Sequence, residues 1–194
     1  MQPRELIDFL SIVEKLKCNT RHCWTSTGRH ESVAEHSWRL AVMALLVAEE
    51  FPSADGEKLV KMCLIHDIGE AITGDIPAFL KTKQDEEKEE LAVAEVLEHL
   101  PENMKSEFRG LFLEISESST IEAKIFKALD NLEAMISHNE SPIDTWRPHE
   151  YEDNLVYGAE NVAFSAYMKR LKEEVNKDSL SKIEKSKQLT QGKA

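Results

Sequence analysis

Apolar residues recur along most of this chain at spacings of three and four, and no convincing stretch alternates with period two. That pattern restricts the fold to packed amphipathic helices. Pro3 opens a first helix whose apolar side carries Leu6, Phe9, Leu10, Val13 and Leu16 and which ends near Lys17. The polar segment "CNTRHCWTSTGRHE" then crosses to a second helix, begun by a Ser32–Glu35 capping box and stopped at Phe51 before Pro52. A third helix follows Asp55 with Leu59, Cys63 and His66 on one face, and Gly69, Gly74 and Pro77 break the chain after it.

The remainder reads the same way. Leu91, Ala94, Leu97 and Leu100 make a narrow stripe on the charge-rich run from Asp85, and Met104, Phe108, Leu111, Phe112 and Ile115 mark a fifth helix. Ser119 with Glu122 suggests a second capping box, opening a helix through Asp130 to about Ser137. "HNESPIDTWRPHE" is a loop, and a last helix is expected from about Tyr151 to Val175. At 194 residues the expectation is one all-α, bundle-like domain over 1–175, with a lysine- and serine-rich tail over 176–194 that frays.

Composition narrows the partners. A net charge of −12 leaves no basic stripe for nucleic acid, though a small phosphorylated substrate is compatible if an arginine or a metal supplies local positive charge. No apolar run approaches the roughly 20 residues of a membrane span. "MQPRELIDFL" lacks a basic start and apolar stretch, so the expected location is the cytoplasm. Cys18, Cys23 and Cys63 form no CxxC pair, which suits reduced thiols; Cys18, His22 and Cys23 would need a fourth ligand to hold zinc, and none is evident.

Chemistry concentrates in "CLIHDIGEAITGDIP", which sets His66, Asp67, Glu70 and Asp75 on or just after an apolar run. His36 lies on the face of Leu40, Met43 and Val47, and Asp130 interrupts the pattern Ile125, Phe126, Leu129, Leu132. Each has an ordinary explanation taken alone: an inward histidine is commonly a satisfied core residue, and Asp130 could pair with Lys127 or Lys124. Together, two imidazoles and two carboxylates make a sensible shell for one divalent cation, which would offset four burial penalties at once.

The order His36, then His66-Asp67, then Asp130 resembles the HD-domain superfamily of metal-dependent phosphohydrolases. Arg21, "ESVAEHS", "HDIGEAITGDIP" and "KALDNL" are similar to one branch, the YfbR-like 5′-deoxynucleotidases and their eukaryotic relatives. The resemblance spans about residues 3 to 170. It implies a metal site between helices with His36, His66, Asp67 and Asp130 as ligands. It implies Glu70 acting on the attacking water, Asp75 contacting substrate and handling the leaving-group proton, and Arg21 orienting the phosphate. A guanidinium suits that last role through its planar fork of donors. It further implies one divalent ion per subunit (Mn, Co, Fe, Ni, Zn or Mg), a nucleotide substrate and a homodimer.

One departure is local. Bacterial members carry tryptophan directly after the arginine, to crowd a 2′-hydroxyl; here His22 holds that position and the tryptophan is Trp24, free either to fold back toward the sugar or to join the core. Competing readings are another HD chemistry, on cyclic nucleotides, nucleoside triphosphates or at a di-iron site, and a non-catalytic nucleotide-binding module. A two-metal site should need extra histidines, for which only His22 and His30 are near. The non-catalytic reading would be favoured by loss of a ligand or of Glu70, and all are present.

Overall fold

The structure, a computed structural model, describes residues 1–191. Pro3 stands at the first position of α1 (Pro3–Val13), where a missing N–H costs nothing, and a 3₁₀ turn follows over Glu14–Lys17. Leu16 in that turn packs with Val33 and Ala71 in a small apolar cluster that seats α1 on the body of the molecule.

The polar crossing segment is not a plain loop. It is a hairpin, β1 (Thr20–Trp24) against β2 (His30–Ser32), pairing Thr20 with Ser32 and Trp24 with His30. Gly28 supplies the left-handed φ of +82° in its turn. Period-two reading misses it because the register shifts between the two pairs, so inward and outward positions do not alternate cleanly along five mixed residues. A small two-stranded sheet therefore joins an otherwise helical architecture.

Ser32, ending β2, caps α2 (Val33–Val47) as expected: its hydroxyl accepts from Glu35 N–H and the Glu35 carboxylate accepts from Ser32 N–H. Asp55 caps α3 (Gly56–Ile65). After the short α4 (Glu70–Thr73), Thr82 starts α5 (Lys83–Leu97) with its own capping box, and α6 (Glu102–Glu117) follows. Helix α7 (Ile121–Glu140) is capped by Thr120, not Ser119. Glu122 instead accepts from the Asp55 N–H at 2.7 Å and pairs with Lys58 at 3.1 Å, so it ties α7 to the start of α3. Helices α2, α3 and α7 pack around Leu40, Leu59, Met62, Ile125, Leu129 and Leu132.

The C-terminal third departs from expectation twice. The single helix from Tyr151 is two, α8 (Glu150–Val156) and α9 (Ala166–Gln191), separated near Gly158, whose φ is +69° and whose Cβ, were there one, would meet Asn131 at 2.7 Å. Helix α9 also runs past Val175 through the segment expected to fray. Ser179 and Ile183 are buried there, and Ser179 donates to Asn139 on α7 at 2.8 Å. Lys172, Lys182 and Ser179 obscure the packed face in sequence because their polar atoms bond α7 and the chain before α9. Residues 192–194 of the expected tail lie outside the described residues. No helix among the described residues is long and apolar enough to cross a membrane.

Candidate active site

His36 sits one turn into α2, His66 and Asp67 at the end of α3, and Asp130 in the middle of α7. His66 is the C-cap of α3, still helical in φ and ψ with its N–H on the Met62 carbonyl, and Asp67 follows it into a turn; their side chains meet, Nε2 to Oδ2, at 2.9 Å.

His36 Nε2 lies 3.3 Å from His66 Nε2, 3.3 Å from Asp130 Oδ1 and 3.9 Å from Asp67 Oδ2. His66 Nε2 lies 2.9 Å from Asp67 Oδ2 and 3.8 Å from Asp130 Oδ1. Donors about 2.1 Å from one cation stand roughly 3.0–3.4 Å apart; His36, His66 and Asp67 group at about that spacing, and Asp130 reaches the group through the two imidazoles. The other imidazole nitrogens are held from behind, His36 Nδ1 by Glu133 at 2.5 Å and His66 Nδ1 by the Cys63 carbonyl at 3.0 Å. Those bonds turn both Nε2 atoms toward the shared point. The electrostatics agree: burial opposes a charged His36, yet Asp130 and Glu133 outweigh it and raise its pKa to about 9. Burial also opposes charge on Asp130, but His36 and His66 hold it well below the usual carboxylate range. The carboxylates around His36 thus favour positive charge at this point.

Glu70, the first residue of α4, is buried with Oε2 unpartnered, and its carboxylate lies near those of Asp67 and Glu89. Burial, then repulsion from Asp67 and Asp75, lifts its pKa to about 9. Asp75 follows the left-handed Gly74 (φ +74°); burial raises its pKa as well, against the pull of Arg21. Arg21 on β1 shares Nη1 between Glu31 (3.3 Å) and Glu133 (3.2 Å). Burial works against its charge, and the surrounding carboxylates keep it charged.

A cavity of about 350 Å³ adjoins this region, with Arg21, His22, Asp75, Phe79, His138 and Tyr157 in its wall. Arg21 and Asp75 thus face the cavity, and His22 does too. Trp24 is not brought there: its half-buried ring stacks on His30 across the hairpin, centroids 4.1 Å apart, so it neither crowds the cavity nor joins the core. Cys18 is exposed and Cys23 buried, and His22 meets Glu150 instead of either thiol.

Sequence reading passed over Glu133, which is fully buried and also bonds Arg39 Nε at 2.9 Å. It stands three residues after Asp130, on the same helix face, and that spacing was the available signal. Glu31 opens the "ESVAEHS" motif, but its pairing with Arg21 and Ser137, like the neighbours of His138 and Glu150, comes only from the folding of separate elements.

The HD domain family model matches residues 13–172. The chain belongs to the HD domain family. It is similar to 5′-deoxynucleotidase HDDC2 of Homo sapiens, 34% identical over 154 residues, covering 77% of this chain and 74% of that one. It is also similar to 5′-deoxynucleotidase hdd1 of Schizosaccharomyces pombe, 31% identical over 136 residues, 66% and 68% of the two chains. Among solved structures, a predicted metal-dependent phosphohydrolase from Magnetospirillum magnetotacticum superposes with a TM-score of 0.78 at 27% identity, over 92% of this HD domain chain and 93% of that one.

Proposed function

We propose that this HD domain protein is a metal-dependent phosphomonoesterase that converts nucleoside 5′-monophosphates, deoxy forms preferred, to nucleoside and phosphate. The observation that carries the reading is the convergence of His36, His66, Asp67 and Asp130 from three helices on one point, beside a cavity that Arg21 and Asp75 share. The names of the human and fission-yeast relatives supply the substrate class. The four side chains would hold one divalent cation, which when bound supplies Lewis acidity and lowers the pKa of water. Mixed nitrogen and oxygen donors suit Mn, Fe, Co, Ni or Zn.

The chain's own groups divide the rest. Arg21, anchored through Nη1 by Glu31 and Glu133, has its remaining donors for the phosphate oxygens. Glu70 takes the proton of the attacking water. It is buried beside Asp67 with Oε2 unpartnered, so an acceptor oxygen is free, and a cation held by Asp67 would favour its ionised, accepting form. As the P–O5′ bond breaks, Asp75, held toward its protonated form by burial, delivers a proton to the nucleoside oxygen. The nucleoside would occupy the cavity beside His22 and Phe79. A cytoplasmic homodimer, acting on no nucleic acid or membrane, completes the proposal.

Phosphate release from a nucleotide panel with Mn²⁺, Co²⁺, Mg²⁺ or Zn²⁺ tests it. His36→Ala, Asp67→Ala and Asp130→Ala should each lose metal and activity together, whereas Glu70→Ala should keep metal and lose turnover. Metal retained at full stoichiometry in the first three would remove those residues from the ligand set.

A further inference from the structure

A second set of donors lines the same cavity. His22 comes from β1, His138 from α7 and Glu150 from the start of α8, and one potential ligand atom from each lies within 4.8 Å of the other two. His22 Nε2 contacts Glu150 Oε1, and the two imidazole rings meet edge-on, centroids 5.6 Å apart.

A hydrogen-bonded His22–Glu150 pair would explain two of these groups. It does not explain the third. His138 Nδ1 faces Asn154 Oδ1 at 3.2 Å, which leaves Nε2 as the nitrogen available to the cluster. Glu150 is likewise held through its far oxygen, Oε2 accepting from Arg147 N–H at 2.6 Å. Each is thus oriented from behind, the arrangement that fixes first ligands in metal sites. Burial favours the neutral, ligating form of His138. Asn154 is 6% exposed, lines the same cavity, and its Nδ2 has no partner among the described residues. An oxygen ligand on a cation held here is an acceptor for that orphaned donor.

We propose that His22, His138 and Glu150 form a separate transition-metal site, best matched to Zn²⁺, with an open coordination position toward the cavity. Two imidazoles and one carboxylate carry a single negative charge, and three protein ligands with a fourth position open is a familiar zinc arrangement. The site shares no ligand with the four-donor cluster, although it opens on the cavity proposed for the nucleoside.

The full chain, stripped of metal and equilibrated against buffered Zn²⁺, should bind two ions. His22→Ala, His138→Ala and Glu150→Gln should each bind one, with at least tenfold weaker affinity at the altered site. His36→Ala should also bind one, and the His36→Ala/His138→Ala double variant none. His138→Cys separates ligation from packing: a thiolate should restore the second ion and, with Co²⁺, add a sulfur-to-cobalt charge-transfer band. Circular dichroism confirms that each variant is folded. The proposal is overturned if every ion the wild-type chain binds is lost in His36→Ala, if folded His138→Ala binds as many ions as the wild type, or if the Cys variant regains an ion with Co²⁺ but without that band. Loss of the ion at His36 alone would leave this site standing, so the two readings fail separately.

Discussion

Glu133 shows how much one buried carboxylate can organise. It bonds His36, Arg21 and Arg39 at once with no solvent exposure, so the donor cluster and the proposed phosphate-binding arginine share one anchor. Glu133→Gln keeps an acceptor but loses charge. It should weaken metal binding on the order of 10–100-fold and raise KM, measurable by metal titration and steady-state kinetics. Glu133→Ala should cost about 3–5 kcal/mol in denaturant unfolding, because Arg21 and Arg39 lose their counter-charge. Glu70 yields a pH prediction. Its ordinary value of 4.5 rises to about 9 in the folded, metal-free protein. Between those values the native state keeps a proton that the unfolded state has lost, so Glu70's contribution to stability is fullest below about 4.5 and falls as pH rises through the window. The Tm of metal-free protein should therefore drop from pH 5 to pH 8, and drop less in Glu70→Gln. Equal slopes would show that Glu70 ionises normally.

At the scale of elements, helix ends matter more than helix interiors. His66 caps α3 and Asp67 follows it, their side chains meeting at 2.9 Å, and Gly74 admits the left-handed turn that leads to Asp75. Helix α9 makes the complementary case. Its segment beyond Val175 has the composition of a solvated tail, yet Ser179 and Ile183 are buried and Lys182 donates to the Asn139 carbonyl on α7 at 2.9 Å. A chain ending at Val175 should lose about 1.5–3 kcal/mol from Ile183 burial alone. For a domain of this size that lowers Tm by at least ~3 °C. A truncated protein melting with the full chain would mean that the last turns contribute nothing.

At the scale of the molecule, among the described residues, α1 exposes Leu6, Ile7 and Leu10, and α2 leaves a broader apolar side uncovered. Trp38, Val42, Leu45 and Leu46 lie on α2 at helical spacing and are exposed, while Leu40, Ala41 and Ala44 face the core. Contiguous exposed apolar surface marks an interaction face, and the homodimer proposed above would cover this one. Trp38→Glu together with Leu45→Glu should halve the mass seen by sedimentation without unfolding the protein; an unchanged mass would place any self-association elsewhere. The same molecule separates what sequence and tertiary structure each decide. The helices, the Ser32 cap and the inward placement of His36 and Asp130 were legible in the sequence, because 3.6-residue periodicity and capping are local. The HD motif was legible too, since its order along the chain is itself the signal. The hairpin was not, as its register shift breaks the alternation that would reveal it. Nor were the roles of Glu122, Glu133 and Glu150, or the removal of Trp24 from the cavity. Each depends on which distant group a buried polar atom meets: Asp55 for Glu122, His36 and Arg21 for Glu133, His22 for Glu150, and His30 for the Trp24 ring. Desolvation makes such partners compulsory, but only packing of the elements chooses them.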